Sequence, residues 1–336
     1  MTRWSGDERS GERLPGVLGD AESMRTAAER VTLIAETDAT CLLLGETGTG
    51  KELFARAIHY LSERKNWPFV PVNCGAIPDH LFENEMFGHR RGAYTDAQSN
   101  EVGLLAYGEK GTLFLDEVDA LSPSAQVKFL RVLQEREYRP VGSAHTIPAN
   151  IRVVAATNCN LLERVQTHQF REDLYFRLNI LSLTIPPLRE RLEDVPLLAA
   201  HYVREYAKAH RRAVTGINDA AIASLQAYRW PGNVREFQSV IQRAVLTSKS
   251  RVLSTADLAL PETTPSPSIH LTLKAAKNVA VSHCERSYLS AVLRRCQGNI
   301  TRAAKMAGKE RRSFQRLLRK YSITSLPFKG SEGTGY

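Results

Sequence analysis

The sequence is poor in the features that mark secreted, disulfide-bonded or membrane proteins. Its 336 residues include five cysteines, an odd number without a Cys-X-X-Cys pair, which favours reduced thiols over disulfides or a zinc site. The longest apolar runs, such as 41–44, fall far short of the roughly 18–20 residues that span a bilayer. No charged start precedes an apolar core and a small-residue cleavage site. These absences predict a cytoplasmic protein without a membrane partner.

Acidic residues are scarce in one segment near the C-terminus. Of the 45 lysines and arginines, fourteen lie in residues 271–330, beside two acids, Glu285 and Glu310. That segment carries a formal charge of +12, whereas the rest of the chain is at −3. A solvated basic surface has a similar composition, but this density of charge favours a polyanionic partner such as nucleic acid.

Hydrophobic periodicity separates two kinds of region along the chain. Between about residues 17 and 188, short apolar runs alternate with helical patterns. This alternation predicts an α/β fold, with a mostly parallel sheet that is covered by helices on both faces. The region 189–258 is typical of helices alone, and Asp194 is the expected cap of its first long helix. The strands are expected at residues 40–44, 69–73, 112–115, 151–156 and 181–185.

A glycine-rich loop lies between the first of these strands and the helical pattern that follows it. Its sequence, Gly-Glu-Thr-Gly-Thr-Gly-Lys-Glu, lets successive backbone N–H groups turn toward phosphates beside a helix N-terminus. Lys51 would reach the β- and γ-phosphates. The general pattern has serine or threonine after the lysine, so Glu52 leaves the usual hydroxyl ligand of Mg²⁺ missing. The expected nucleotide-binding residues here are Gly45, Glu46, Thr47, Gly48, Thr49, Gly50, Lys51 and Glu52.

Two adjacent acids end a later apolar strand. Asp116 suits Mg²⁺, directly or through water, and Glu117 suits polarisation of the attacking water. Taken alone, a glycine-rich loop is often only a turn, and an acidic pair after a strand usually caps a helix. Their joint occurrence within a strand–helix alternation predicts a nucleotide hydrolase.

The chain also carries six longer motifs in a characteristic order. They read GETGTGKE, EMFGHRRGAYTDA, GTLFLDEV, RVVAATN, FREDLYFRL and WPGNVREF. In these motifs the chain resembles the bacterial enhancer-binding proteins, the AAA+ ATPases that activate RNA polymerase carrying sigma-54. The resemblance spans roughly residues 17–258 and implies ATP and Mg²⁺ as cofactors.

The resemblance also bears on how the protein is controlled. Only about sixteen residues precede the core, too few for the phosphate-receiving or ligand-sensing domain of many relatives, although a truncated chain would look the same. We therefore expect control by a regulatory protein in trans or by expression level.

The predicted regions are a disordered tail (1–16), an AAA+ α/β ATPase subdomain (17–188), an AAA+ helical lid (189–258), a Pro-rich linker (259–278), a helix-turn-helix domain (279–324) and a tail (325–336).

Several residues match the parts that sense nucleotide in this family. Asn73 matches a switch that holds the catalytic glutamate, here Glu117, until the phosphates change. Thr157 and Asn158 match the first sensor, at a strand end where they can hydrogen-bond the γ-phosphate or the water. Arg235 matches the second sensor, which couples the helical lid to the nucleotide.

Two arginines of the FREDLYFRL motif match the family's arginine fingers, which reach the ATP of a neighbouring subunit. Phosphoryl transfer depends mostly on positioning and charge stabilisation, and a trans arginine supplies ~10³–10⁵ in rate. Such fingers work only in an oligomer, which the resemblance implies is a ring, expected to be a hexamer. The alternative for Arg171 and Arg177 is intrachain salt bridges with Glu172 or Asp173.

The segment Gly-Ala-Tyr-Thr-Asp-Ala lies where the family has its sigma-54-contacting loop, usually Gly-Ala-Phe-Thr-Gly-Ala. An aromatic ring between small residues can project from a loop and be buried in a partner. Tyr94 keeps that ring, whereas Asp96 replaces the conformational freedom of glycine with a charge. A plain surface hairpin is the alternative. The expected sigma-54 contacts are Gly92, Ala93, Tyr94, Thr95, Asp96 and Ala97.

Three short helices are predicted near the C-terminus, where residues 298–308 resemble the helix-turn-helix of this family and of the Fis protein. The third, at 310–321, has an apolar stripe opposite a basic one, which suits a recognition helix in the major groove. A solvated basic face is the alternative, and Thr301 is the expected cap of the second helix. Arg312, Gln315 and Arg316 are the candidates to read base edges. The expected DNA contacts are Thr301, Lys309, Arg311, Arg312, Gln315, Arg316, Arg319 and Lys320.

Together with these patterns, the resemblance implies a sigma-54-dependent transcriptional activator. It would bind upstream DNA and use ATP hydrolysis in a ring to remodel the closed complex of sigma-54 RNA polymerase holoenzyme into an open complex. One alternative is a repressor or sigma-70 regulator that carries a non-functional sigma-54 loop. Another is an AAA+ remodeller, such as an unfoldase or a helicase, that merely carries a DNA-binding domain.

Overall fold

The computed structural model divides the chain into two compact units, residues 1–260 and residues 261–336. The residues that it describes are 12–93, 98–260, 281–282, 285, 288–289, 292–293, 295–296 and 298–321. The predicted tail 325–336 lies outside the described residues, as do residues 261–278 of the predicted linker 259–278 and residues 1–11 of the predicted tail 1–16.

A parallel five-stranded sheet forms the centre of the N-terminal unit, in the order β4-β5-β8-β3-β9. Three two-stranded pairs accompany it: β1-β2, β6-β7 and β10-β11. The five central strands match the predicted ones to within one residue at each end, so the α/β prediction is confirmed. The strands are β1 (Glu12–Leu14), β2 (Val17–Leu18), β3 (Cys41–Leu44), β4 (Phe69–Asn73), β5 (Thr112–Asp116), β6 (Glu137–Tyr138), β7 (Ile147–Pro148), β8 (Arg152–Thr157), β9 (Leu181–Thr184), β10 (Gly216–Ile217) and β11 (Val252–Leu253).

Helices cover both faces of this sheet and then form a separate layer of their own. Short 3₁₀ turns occupy residues 118–120, 188–190 and 192–194. The helices of this unit are α1 (Glu22–Ala35), α2 (Lys51–Leu61), α3 (Asp79–Phe87), α4 (Leu104–Tyr107), α5 (Pro123–Glu135), α6 (Leu161–Gln166), α7 (Glu172–Leu178), α8 (Val195–Ala209), α9 (Asp219–Ala227), α10 (Asn233–Thr247) and α11 (Thr255–Leu258).

Strand β3 shows how the sheet serves two cores. Successive side chains of a strand point to opposite faces. Leu43 packs in the cluster that includes Phe54 of α2, whereas Leu42 packs in the cluster that includes Phe129 of α5. A strand buried on both faces reads as a continuous apolar run, which is why 41–44 is recognisable in the sequence.

Residues from about 188 onward build a third core, composed of α8 to α11. Trp230 is fully buried there, and its indole N–H donates to the backbone oxygen of Leu225 at 2.8 Å. Asp194 stands at the N-cap position of α8 but does not accept a hydrogen bond from the first turn of that helix. Its Oδ1 instead accepts the backbone N–H groups of Asp20 and Ala21, so the prediction of a local cap is wrong.

The start of the chain also differs from the prediction. Residues 12–16, which the sequence analysis placed in a disordered tail, form β1 and its turn to β2. Leu14 is only 2% exposed, because it packs in the cluster that includes α1 and α2. Burial of this side chain ties the segment to the folded unit.

The C-terminal unit contains α12 (Ile300–Met306) and α13 (Arg311–Lys320), after helical positions between 281 and 295. Its core includes Leu293, Phe314 and Leu318. Asn299, not Thr301, caps α12, because the Asn299 side chain accepts the N–H of Arg302 at 3.1 Å. Among the described residues of both units, no helix combines the length and the apolar character needed to cross a membrane.

Candidate nucleotide site and nucleic-acid interface

A cavity lies against the glycine-rich loop, between the end of β3 and the start of α2. Gly48 and Gly50 have φ of +80° and +100°, the left-handed region that glycine adopts without strain. The loop lines the cavity from Thr47 to Lys51, and the N-terminus of α2 begins at the lysine itself. This arrangement presents backbone N–H groups and a positive helix end to an anion.

Lys51 is held inside this loop. Its Nζ donates to the backbone oxygens of Gly45 at 2.9 Å and Glu46 at 3.2 Å. Burial lowers the pKa of the Lys51 ammonium, while the nearby carboxylates of Asp116 and Glu117 act in the opposite direction. An ammonium group in such a setting has weak backbone acceptors that phosphate oxygens can replace.

The acidic pair and the candidate first-sensor residues meet at the same edge of the sheet. The carboxyl ends of parallel strands lie side by side, and β5 and β8 end at Asp116 and Thr157. Asp116, Glu117 and Asn158 all line the cavity. The Asn158 side chain donates to the hydroxyl of Thr47 in the glycine-rich loop at 2.9 Å.

Thr157 takes a different position from its neighbour. It is fully buried, and its hydroxyl donates to Asp119 at 2.6 Å while accepting the N–H of Cys159 at 3.0 Å. It does not line the cavity. In this geometry Asn158 faces the loop, and Thr157 anchors the turn behind it.

Asn73 and Glu117 are linked through a glycine and not directly. The Asn73 side-chain oxygen accepts the N–H groups of Gly75 and Ala76, and no hydrogen bond joins it to Glu117 among the described residues. A Cβ at Gly75 would lie 2.5 Å from Glu117 Oε2, so this turn packs closely against the carboxylate. Glu117 itself has a left-handed backbone, with φ of +54°.

The oxygen donors near the loop fit a hard divalent cation bound mainly by phosphates and water. Asp116 ends β5 with one carboxylate oxygen engaged by the N–H of Glu117. Glu52 also lines the cavity, and its carboxylate forms an exposed ion pair with Arg56 at 2.7 Å. No cluster of three or more metal-binding side chains occurs in the part of the chain that the structure describes. Mg²⁺ is usually bound through one or two carboxylates together with substrate phosphates and water.

The helical layer attaches directly to the glycine-rich loop. Backbone N–H groups of Val234 and Arg235, at the start of α10, donate to the backbone oxygen of Gly48 at 3.0 and 3.3 Å. A side chain at Gly48 would clash with the backbone of Gly232, only 2.3 Å from its Cβ. The Arg235 side chain lines the cavity and makes no hydrogen bond or ion pair with the described residues.

Two residues that the sequence analysis did not single out reinforce this attachment. Arg189 pairs with Glu46 through two 2.7 Å hydrogen bonds, which lower the pKa of the Glu46 carboxyl to about 2. The amide of the buried Asn233 donates to Glu46 and to the backbone oxygen of Thr47. Asn233 lies within the WPGNVREF motif and Arg189 lies outside the six motifs, and only the fold shows which loop they contact.

An apolar part of the cavity lies outside the site that the sequence predicts. Val17 and Leu18 line it from β2, and Leu198 and Tyr202 line it from α8. The Pro-Gly pair before Val17 is a turn signal between apolar residues and could have revealed the hairpin. Leu198 and Tyr202 belong to a stripe that periodicity alone assigns to the core.

The candidate arginine fingers lie away from the chain's own cavity. Arg171 and Arg177 are both exposed at opposite ends of α7. Arg171 forms an ion pair with Asp173 at 2.7 Å, as the alternative interpretation proposed, whereas Arg177 forms none with the described residues. An exposed pair of this kind contributes little stability, so it does not prevent Arg171 from contacting another chain.

The base of the candidate sigma-54 loop is ordered by its neighbours. Arg90 donates its backbone N–H to Val141, and Val141 donates to Gly88, which joins this loop to the segment that carries β6 and β7. Gly142 contacts Ala93 so closely that its Cβ would lie 2.8 Å from the Ala93 Cα. Gly92 is exposed. The four remaining residues, Tyr94, Thr95, Asp96 and Ala97, lie outside the described residues.

The C-terminal unit presents a basic surface on α13. Phe314 and Leu318 are buried, whereas Arg311, Arg312 and Arg316 are exposed. This agrees with the predicted apolar stripe opposite a basic stripe. Beside them Gln315 is half-buried, while Lys309 and Thr301 are exposed. Lys320 lies 3.7 Å from Glu285, and the Arg319 side chain is outside the described residues.

These features define a P-loop protein of the AAA+ type, with a helical lid docked on its phosphate loop and a separate helix-turn-helix unit. Models of three families match in the same order. They are the sigma-54 interaction domain over residues 17–184, the AAA+ ATPase lid domain over 189–268, and the bacterial regulatory protein Fis family over 281–321. The chain belongs to the family of sigma-54 transcriptional regulators, which confirms the predicted resemblance.

Individual relatives agree with this assignment. The transcriptional regulatory protein GlrR of Escherichia coli is 45% identical over 304 residues, which cover 90% of this chain and 67% of that protein. Regulatory protein AtoC of E. coli is 39% identical over 312 residues, covering 91% and 68%. The crystal structure of NtrX from Brucella abortus matches with a TM-score of 0.70 and 33% identity, covering 91% of this chain and 69% of NtrX. NtrX in complex with ATP matches at 0.67 and 31%, covering 91% and 70%.

Proposed function

We propose that the chain is an ATP-driven activator of transcription by sigma-54 RNA polymerase. It binds upstream DNA through residues 279–324, assembles into a ring, expected to be a hexamer, and hydrolyses ATP to open the promoter complex. The observation that carries this proposal is the attachment of the lid, at Val234 and Arg235, to the Gly48 carbonyl of the phosphate loop. A change at the phosphates is thereby passed to a second structural layer.

Each residue of the nucleotide site has a distinct task in this proposal. Lys51 and the loop N–H groups bind the phosphates, and Glu117 polarises the attacking water. Asn158, already oriented by Thr47, contacts the γ-phosphate or that water. Mg²⁺ would be held by Asp116 together with phosphate oxygens and would neutralise charge on the transferred group. NtrX, a relative, is described in complex with ATP, which supports the choice of nucleotide.

A short path leads from the catalytic glutamate to the candidate sigma-54 loop. Glu117 packs against Gly75, in the turn that precedes α3. Helix α3 ends at Phe87, and the loop begins at Gly88. In this proposal, a displacement of the Glu117 carboxylate acts on this turn and, through α3, on the base of the loop.

The direct test is transcription in vitro from a supercoiled promoter with the upstream DNA site. We expect open complexes with sigma-54 holoenzyme and ATP, and none when a non-hydrolysable ATP analogue replaces ATP. Sigma-70 holoenzyme is the matched control. DNA binding with an effect on sigma-70 alone, or an absence of open complexes with sigma-54, would favour a repressor or sigma-70 regulator with a non-functional loop.

Replacing Thr95 with alanine is expected to spare ATP hydrolysis and to stop open-complex formation with sigma-54. The change removes a hydroxyl that the proposal assigns to the partner and leaves the nucleotide site intact. Steady-state ATPase rates and open-complex assays on the same preparation measure the two effects. Ser99→Ala, which removes an exposed hydroxyl just beyond the motif, should change neither. Retained transcription by the Thr95 variant would show that this loop has another role.

Replacing Arg316 with alanine is expected to lower affinity for the specific DNA site by about 1–3 kcal/mol, with little change in non-specific binding. Arg311→Ala is the comparison, because a phosphate contact should weaken both kinds of binding alike. Fluorescence anisotropy with specific and scrambled duplexes at several salt concentrations separates the two effects. Equal losses on both duplexes for the Arg316 variant would contradict its assignment as a base reader.

A further inference from the structure

The Asp194 carboxylate joins two distant segments of the ATPase unit. It is 1% exposed and stands where α8 begins. Its Oδ1 accepts the backbone N–H of Asp20 at 2.6 Å and of Ala21 at 2.8 Å, immediately before α1. The backbone of Gly19 also lies close to the other carboxylate oxygen, since a Cβ added at Gly19 would lie 2.8 Å from Asp194 Oδ2. This carboxylate therefore fixes residues 16–21, here called the strap, to the start of the lid.

The strap and α8 are also the two sources of the apolar side chains in the nucleotide cavity. Val17 and Leu18 come from the strap. Leu198 and Tyr202 follow Asp194 by four and eight residues, so they lie on the same side of α8 as the carboxylate. The buried contact therefore joins the two elements that carry the apolar walls.

Arg191 lies beside this contact and faces the same cavity. It is 3% exposed, and one of its terminal nitrogens donates to the backbone oxygen of Thr49 at 3.4 Å. Its Nε is buried without a hydrogen-bond partner among the described residues. Asp194 Oδ2 is also buried without one. Burial lowers the pKa of the Arg191 guanidinium, while the Asp194 carboxylate acts in the opposite direction, so the two side chains interact beside this cavity.

We propose that Asp194 is a positioning residue for the base of the nucleotide. By holding the strap against α8, it keeps the two apolar walls at the separation that a flat purine ring requires, above the Arg191 guanidinium. Lys51 and the phosphate loop, by contrast, bind the triphosphate independently of the strap. The inference rests on the proposed binding of ATP and deepens it, since it assigns base recognition and phosphate recognition to separate groups.

This separation predicts different effects on two ligands. Asp194→Ala should weaken ATP binding about tenfold or more, the factor that corresponds to about 1.4 kcal/mol. Inorganic tripolyphosphate has no base, so its affinity for the same variant should stay within about twofold of the unmodified chain, a difference of about 0.4 kcal/mol. Isothermal titration calorimetry of the full chain in one buffer measures both ligands.

Three further variants make the experiment specific. Asp194→Asn keeps an oxygen at the same position, so it should restore most of the ATP affinity. Gly19→Ala should also weaken ATP binding and spare tripolyphosphate binding, because the added methyl group would push the strap away from an unmodified Asp194 carboxylate. Asp257→Ala is the matched control, because it removes another helix-start carboxylate of the lid that does not line the cavity. Its ATP affinity should not change.

The outcomes are distinguishable. A loss of ATP affinity with unchanged tripolyphosphate affinity in both Asp194→Ala and Gly19→Ala would support the proposal. Equal losses for the two ligands, or unchanged ATP affinity, would overturn it, and Gly19→Ala decides if Asp194→Ala does not fold. If the unmodified chain binds neither ligand, the proposed nucleotide site itself is refuted and this inference with it. Binding of both ligands with equal affinity by the unmodified chain would refute the base pocket alone.

Discussion

Replacing Lys51 with alanine is expected to lower the affinity for ATP at least about 100-fold, because two or more charge-assisted hydrogen bonds of about 1.5–3 kcal/mol each are lost. The Lys51 ammonium donates to the oxygens of Gly45 and Glu46, so it lies inside the loop that is built for phosphates. The side chain is buried, and no other lysine lines the cavity in the described part of the chain. Titration calorimetry with ATP measures the effect.

The same variant should bind its DNA site with unchanged affinity, because the proposed DNA contacts belong to the separate C-terminal unit. Lys128→Ala is the matched control. Lys128 is a partly exposed lysine of the N-terminal unit, to which Lys51 also belongs. It pairs with Glu83 and does not line the cavity. Normal ATP hydrolysis by the Lys51 variant would show that the nucleotide site has been placed in the wrong loop.

The phosphate half of this site could be predicted from the sequence because its parts are local. Lys51, the glycines and the first helical turn are consecutive, and their spacing alone determines which groups face a phosphate. Asp116 lies 65 residues away, but it ends an apolar run that is readable as a buried strand. Parallel strands then bring the two together, because their carboxyl ends share one edge.

The proposed base pocket could not be predicted in the same way, because the contact assigned to it joins a side chain to backbone. Asp194 binds the N–H groups of Asp20 and Ala21, which are 174 and 173 residues away. Any residue except proline carries such a group, so the sequence holds no signal for this pairing. A carboxylate just before a helix therefore predicts the cap of that helix, a position that aspartate favours.

Apolar cavity walls were hidden for a related reason. Leu198 and Tyr202 occupy the core-facing stripe of α8, and both pack in the lid core while they line the cavity. Hydrophobic periodicity reports burial and does not distinguish a neighbouring helix from a ligand. Arg189 presents the opposite case, since an exposed arginine beside a proline pair gives no indication that it binds Glu46 of the phosphate loop.

The predicted cap of α12, Thr301, lies two positions after the observed cap, Asn299, for a simple reason. Thr301 and Asn299 are both good N-cap residues two positions apart, so the sequence allows either. The structure selects Asn299, and α12 then begins at Ile300, which packs against the core of the C-terminal unit. Burial of Ile300 is a tertiary effect that local capping preference does not contain.

Replacing Arg177 with alanine is expected to reduce ATP hydrolysis by about 10³-fold or more, the contribution of an arginine supplied in trans. ATP affinity should change little, because Arg177 does not line the cavity of its own chain. Stability should stay within about 0.5 kcal/mol, since the side chain is exposed and makes no ion pair with the described residues. Turnover, calorimetry and thermal unfolding measure these three quantities. Arg204→Ala, an exposed arginine of α8, is the matched control.

A mixing experiment shows whether Arg177 acts on a neighbouring chain. The Lys51→Ala chain keeps Arg177 but has no working nucleotide site. The Arg177→Ala chain keeps its nucleotide site but lacks Arg177. Each alone should be inactive, whereas a mixture should regain part of the activity, because the site of one chain meets the arginine of the other at some junctions. Each variant mixed with itself is the control. A mixture no faster than its two components would place Arg177 outside the neighbour's site, because complementation between chains requires a group that acts across the boundary.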